Sequence, residues 1–198
     1  MSAAQASASA EAHERALGRG LARARVFFAL WPESAVQAGL AQHGRELQRQ
    51  VGGKATRQES IHLTLAFLGD VALDRMDDVR AVGARAGFEP FAFTLEAAGC
   101  WGHNGVAWIA PRVTPEPLLS LVGSLGAALL DAGFRVDARP YAAHVTVVRK
   151  ARCRPIDLTL APVRWQVDDF VLVRSELDAE GSRYTVIDRW PQANRKLD

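Results

Sequence analysis

Cysteine is scarce in this chain. Only Cys100 and Cys153 are present, and they form no Cys-x-x-Cys pair, which argues against a zinc knuckle or a dithiol redox motif. Two buried free thiols in a reducing compartment are expected, with one disulfide as the alternative. Long apolar runs are also missing. None approaches the ~20 residues that a membrane helix needs, so no membrane association is expected. The N-terminus has no basic start followed by an apolar block, and so does not read as a secretory signal. A cytoplasmic monomer is the expectation. Residues 1–22, rich in Ala and Ser, read as a disordered tail, with a frayed helix over Ala10 to Leu21 as the alternative. Excess charge is lacking too. The net charge is +2, so the chain as a whole is not an electrostatic glue for nucleic acid, although a local basic lining remains compatible with that average.

What is present fits a globular protein. The 198 residues are 48% hydrophobic and 23% charged, enough for one domain over 23–198 or for two small lobes sharing a core. Arg25 to Trp31 reads as a buried central strand stopped by Pro32. Val36, Leu40, Leu47 and Val51 then mark one face of a helix that ends at Gly52 and Gly53. Ile61 to Leu68 alternates, with Leu63, Leu65 and Phe67 on one face and His62, Thr64 and Ala66 on the other. A helix over Leu73 to Ala86 and strands over Phe91 to Ala97 and Gly105 to Ala110 follow. The clearest helix is Pro115 to Ala132, striped by Leu118, Leu121, Val122, Leu125 and Leu129. His144 to Val148 reads as a strand. Val163 to Val173 and Tyr184 to Trp190 read as a hairpin that turns within Asp178 to Ser182.

One regularity outweighs the single elements. Each half contains a strand, a helix and then a strand opening on His-x-Thr. Val26 to His62 is 36 positions and Val106 to His144 is 38. Two units of such similar length point to an internal duplication. Packed about a pseudo-two-fold axis, they would bring both histidines to one cleft.

Residues i and i+2 of a strand point the same way. His62 with Thr64, and His144 with Thr146, therefore each present an imidazole beside a hydroxyl. Hydrolysis of a phosphodiester needs a base for the nucleophile, an acid for the leaving oxygen and donors for the nonbridging oxygens. Histidine populates both protonation states near neutrality, so two of them can divide the acid and base work. The threonine hydroxyls would serve the phosphoryl oxygens. This scheme uses no metal and no other cofactor. Neither histidine has ligand spacing such as His-x-x-x-His, and no companion carboxylate is evident.

The strings H-L-T-L-A-F-L-G (His62 to Gly69) and H-V-T-V-V-R (His144 to Arg149) resemble the paired signatures of the two-histidine (2H) phosphoesterase superfamily. Within it, the chain is most similar to the RNA 2′,3′-cyclic phosphodiesterases, once called 2′–5′ RNA ligases. R-V-F-F-A-L-W-P from Arg25, Arg139-Pro140, and S-E-L with G-S-R-Y between Ser175 and Tyr184 carry further likeness. The resemblance covers roughly Arg25 to Trp190. It implies an α+β, bilobal, duplicated fold, with antiparallel sheets around a central cleft and helices outside. It implies RNA with a 2′,3′-cyclic phosphate end as substrate and a 2′-phosphate as product. By the same resemblance His62 is the proton donor and His144 the proton acceptor. Arg149 matches a family position, and a guanidinium suits a phosphate. Strict alternation, however, sets Arg149 on the Val145/Val147 face, away from the histidines, unless the strand ends or twists there.

Plainer readings stand beside these. Threonine is common in strands for packing alone. His13 in the tail and His43 on a polar helix read as solvated, and His103 in W-G-H-N-G as a turn residue, with a rim contact to substrate as the alternative. Phe27, Trp31, Trp101 and Trp108 offer stacking walls, although aromatic residues in strands are usually core. Two alternative functions remain open at this point: a phosphodiesterase for small cyclic nucleotides or ADP-ribose cyclic phosphate, and a non-catalytic RNA-end-binding module.

Overall fold

The computed structural model describes residues 22–156, 159–178 and 181–191. The expected tail lies outside them save for Ala22. The first strand, β1 (Arg23–Leu30), sends Val26, Phe28 and Leu30 into the main core and turns Phe27 and Ala29 to its other face. Helix α1 (Ser34–Val51) follows Pro32 and buries Val36, Leu40, Leu47 and Val51, the four positions its periodicity marks. It stops where Gly52 and Gly53 take positive φ. A Cβ on Gly53 would collide with the carbonyl of Arg149. Glycine there lets the following strand β2 (Lys54–Ala55) lie against the end of β7 (Val145–Arg149).

After a 3-10 turn at Gln58–Ser60 comes β3 (Leu63–Ala72), then α2 (Met76–Arg85). The chain continues through β4 (Phe91–Leu95), β5 (Ala97–Trp101), β6 (Val106–Ala110) and α3 (Glu116–Asp131), and passes β7 to β8 (Val163–Val167), β9 (Phe170–Asp178) and β10 (Gly181–Trp190). The main sheet runs β10-β9-β1-β3-β7-β6-β5, with β2 added on β7, and every pairing in it is antiparallel. The mixed α+β architecture is the one expected. Its centre is the pair β3–β7, where Leu63 lies opposite Val145. Those residues directly follow His62 and His144. On one side β3 is flanked by β1 and then β9, and on the other β7 is flanked by β6 and then β5. Helix α1 lies between β1 and β3 in the chain, and α3 between β6 and β7. The duplication read from spacing is thus a symmetry of the sheet.

Three expectations are corrected. Val163 to Val173 is two strands, broken at Asp168-Asp169. β8 leaves the hairpin and pairs with β4 in a separate two-stranded sheet, while β9 and β10 form the hairpin. His43 is buried, not solvated, with Nε2 at 2.9 Å from the Ala161 carbonyl and Nδ1 at 3.3 Å from Glu46. Cys100 and Cys153 are joined in a disulfide, with Cα atoms 5.5 Å apart. Strand order explains the bond. Cys100 lies opposite Ala107, and Ala107 opposite Val148, so the chain leaving β7 passes close to β5. No helix among the described residues is long and apolar enough to cross a membrane.

Candidate active site

His62 precedes β3 and follows the 3-10 turn. Its Nδ1 lies 2.8 Å from the carbonyl of Ser60. A carbonyl only accepts, so Nδ1 carries hydrogen and Nε2 is the nitrogen left for chemistry. His144 repeats the device, with Nδ1 at 2.8 Å from the Ala142 carbonyl. In both units the imidazole is thus tied to the backbone two residues back.

Aromatic rings enclose the two imidazoles unequally. Trp31 stacks parallel to His62 with centroids 5.3 Å apart, Phe27 lies at 4.9 Å, and Tyr184 meets the ring edge-on at 5.0 Å. Burial among them pushes His62 down to about 4. The bond to Ser60 opposes this shift, and the charges of Arg149 and His144 add to it. Among the described residues, His144 has one aromatic ring in contact, Trp101, edge-on at 4.5 Å. Burial lowers its pKa as well, again opposed by its backbone bond and assisted by Arg149. In the free protein both rings are therefore neutral at pH 7.

Alternation fails in each half directly after the threonine. Phe28 pairs with Ala66 and Ala29 with Thr64, so Leu65 is an extra residue on β3. Ala107 pairs with Val148 and Trp108 with Thr146, so Val147 is the extra residue on β7. A bulge of this kind reverses the phase of the residues beyond it. Val147 and Val148 are consecutively buried, and Arg149 returns to the side of Thr146. Phe67, expected on the core face with Leu65, is half exposed and lines the cleft with His62 and Thr64. The fifth residue after each histidine thus reaches the cleft, an aromatic ring in one unit and a guanidinium in the other.

The five expected site residues come together. A hollow of about 110 Å³ is bordered by His62, Thr146, Arg149 and Tyr184. A second, of about 390 Å³, adds Thr64, Phe27 and Phe67 to His62 and Arg149. A third, of about 530 Å³, opens beside His144 and Thr64, between α3 and the segment carrying Arg135 and Tyr141. The Tyr141 hydroxyl donates to the Thr64 carbonyl at 3.0 Å and anchors that segment to β3. Of the expected stacking walls, Phe27, Trp31 and Trp101 stand beside the histidines, whereas Trp108 packs behind Trp101. His103 is a turn residue at the edge of the hollow beside His144. Sequence reasoning gave no site role to Phe67, Tyr141 or Tyr184. Phe67 and Tyr184 do lie within strings that carry the family resemblance, H-L-T-L-A-F-L-G and G-S-R-Y. Among the described residues, no three His, Cys, Asp or Glu side chains converge as a metal-holding group.

Residues 32–179 match the model of a family described as the 2′-5′ RNA ligase superfamily. An RNA 2′,3′-cyclic phosphodiesterase of Thermus thermophilus is 30% identical over 177 residues, covering 84% of this chain and 89% of the relative. One of Escherichia coli is 29% identical over 140 residues, covering 70% and 79%. The crystal structure of E. coli LigT complexed with 3′-AMP superposes with a TM-score of 0.75 at 26% identity, covering 85% of this chain and 98% of that one. The chain belongs to the 2′-5′ RNA ligase superfamily.

Proposed function

We propose that this protein is an RNA 2′,3′-cyclic phosphodiesterase that opens the cyclic phosphate at an RNA 3′ end to a 2′-phosphomonoester. The observation that carries the reading is the central pairing of Leu63 with Val145. It puts the two His-x-Thr units side by side, each imidazole held through Nδ1 and leaving Nε2 for substrate. The relatives named for this activity support it.

In the proposed step, His144 Nε2 takes a proton from water as the water oxygen attacks phosphorus. The bond from phosphorus to the 3′-oxygen breaks, and His62 Nε2 delivers its proton to that oxygen. The 2′-oxygen keeps the phosphate. Attacking and leaving oxygens stand in line, so acid and base belong on opposite sides of the phosphorus. Thr64, Thr146 and Arg149 hold the nonbridging oxygens as negative charge gathers there. His62 must be protonated to act, and an anionic phosphodiester beside it raises its pKa from the low value in the free site. Solvent exchange then resets both rings. No metal takes part, and turnover persists in excess chelator.

Product analysis on a cyclic-ended oligoribonucleotide is the test. A 2′-phosphate product, lost in His62→Ala and His144→Ala, is expected. A 3′-phosphate product would mean that the 2′-oxygen leaves, and unimpaired single variants would remove the histidines from the mechanism.

A further inference from the structure

The in-line geometry proposed above divides the cleft. Water attacks on the side of His144, so the ribose and base of the terminal nucleotide lie on the side of His62. The hollow there, about 390 Å³, falls in the size range of a small-ligand pocket. Phe27, Phe67 and Tyr184 wall it, and Arg25 also lines it. The Arg25 guanidinium rests 4.8 Å from the centroid of the Phe67 ring. Phe27 stands near-parallel to the same ring at 6.4 Å. Arg25 therefore occupies the place that a base stacking on Phe67 would take.

Register fixes where Arg25 goes when displaced. Ala29 lies opposite Thr64, whereas Arg25 lies opposite Asp70. That sets the Arg25 backbone four residues along β1 from the reacting centre, roughly 13 Å at the rise of a strand. No carboxylate among the described residues pairs with this cation. A base that enters the hollow turns the guanidinium outward. The next group along an RNA chain is the phosphodiester joining the terminal nucleotide to its neighbour, and a cyclic mononucleotide has no such group.

We propose that Arg25 is the specificity residue by which this site selects RNA ends over cyclic mononucleotides, covering Phe67 in the free protein and moving to the penultimate phosphodiester when the terminal base stacks. The inference rests on the hydrolytic reading above and on the nucleoside lying beside His62.

The test compares kcat/KM on a short oligoribonucleotide ending in a 2′,3′-cyclic phosphate with kcat/KM on the corresponding nucleoside 2′,3′-cyclic phosphate. In Arg25→Ala the ratio of the two falls about tenfold, as loss of one charge-assisted contact implies. The salt dependence of the oligonucleotide value weakens by about 0.7 in logarithmic slope, the loss of one phosphate contact on a single strand. Arg25→Lys keeps most of the ratio, because the charge remains. Arg135→Ala, at the rim of the larger hollow beside His144, keeps the wild-type ratio. An unchanged ratio in Arg25→Ala, or a fall in Arg135→Ala instead, overturns the proposal while hydrolysis by the wild type still stands. Wild-type protein inert on both substrates removes the hydrolytic reading itself, and this inference with it.

Discussion

At the scale of single residues, the two imidazoles share one tautomer for one reason: each gives its Nδ1 hydrogen to a carbonyl two residues back. They differ in enclosure, and His62, boxed by three aromatic rings, is held down to about 4. The proposed active state has His62 charged and His144 neutral, the reverse of the order their surroundings favour. Two pH predictions follow. First, kcat/KM, which reports the free enzyme, peaks below pH 6.5, because the charged fraction of His62 falls steadily above its pKa. Bound phosphate raises that pKa, so the alkaline limb of kcat lies at higher pH than that of kcat/KM. A kcat/KM that climbs through pH 8 would remove His62 as the acid. Second, unfolded His62 titrates near 6.5 and folded His62 near 4, so between these values the unfolded chain binds more protons. Stability is then complete above pH 6.5 and declines as pH falls towards 4, by at most about 3 kcal/mol from this ring. Urea unfolding of wild type and His62→Asn checks it: the variant's curve is flatter in that window. Alanine at either histidine lowers kcat about 10²–10⁴-fold.

At the scale of elements, the two bulges decide what the cleft contains. A period of two predicts Phe67 in the core and Arg149 away from the histidines, and in the structure both line the cleft. The extra residues, Leu65 and Val147, have no mark of their own in the sequence. They exist only in the register against β1 and β6, and a partner strand is invisible to a pattern read along one segment. Helix α1 backs the second bulge closely, and two of its glycines offer a paired test. A Cβ on Gly44 would lie 3.1 Å from the Val147 Cβ and 3.3 Å from the Val147 carbonyl oxygen. The bulge is fixed by pairing on both sides and gives way poorly. Gly44→Ala therefore destabilises by about 1–3 kcal/mol and lowers kcat/KM as Arg149 shifts. A Cβ on Gly39 would meet only Val163 methyl groups at 3.6 Å and 3.8 Å, an ordinary contact. Gly39→Ala stabilises by roughly 0.5–1 kcal/mol through helix propensity and leaves turnover unchanged. Thermal melts and steady-state rates separate the two, and equal effects of both would deny the bulge its role in placing Arg149.

At the scale of the whole molecule, local repetition was legible and long-range closure was not. Matching His-x-Thr strands at matching distances exposed the duplication, because each unit is contiguous. The β4–β8 pair and the Cys100–Cys153 bond join segments that share no local pattern. The bond appears only once the order β7-β6-β5 is known, and β4–β8 is a sheet of its own. The disulfide spans 53 positions of sequence that include β6, α3 and β7. Cys100 precedes Trp101, the neighbour of His144, and Cys153 follows Arg149 by four residues, so the bond ties the two flanks of the site together. Closing a loop of that length removes about 4 kcal/mol of chain entropy from the unfolded state. The native path does not depend on it, because backbone bonds from Ala151 to Gly105 and from Arg152 to Val51 hold the same segment. Reduction by a dithiol therefore lowers Tm by roughly 10 °C for a chain of this size and leaves kcat at 25 °C within about threefold of the oxidised protein, a barrier change under 1 kcal/mol. The chain has no other cysteines, so Cys100→Ser with Cys153→Ser should reproduce the reduced melting curve and become insensitive to reductant. Identical melts of wild type with and without dithiol would show that the bond adds nothing to the fold.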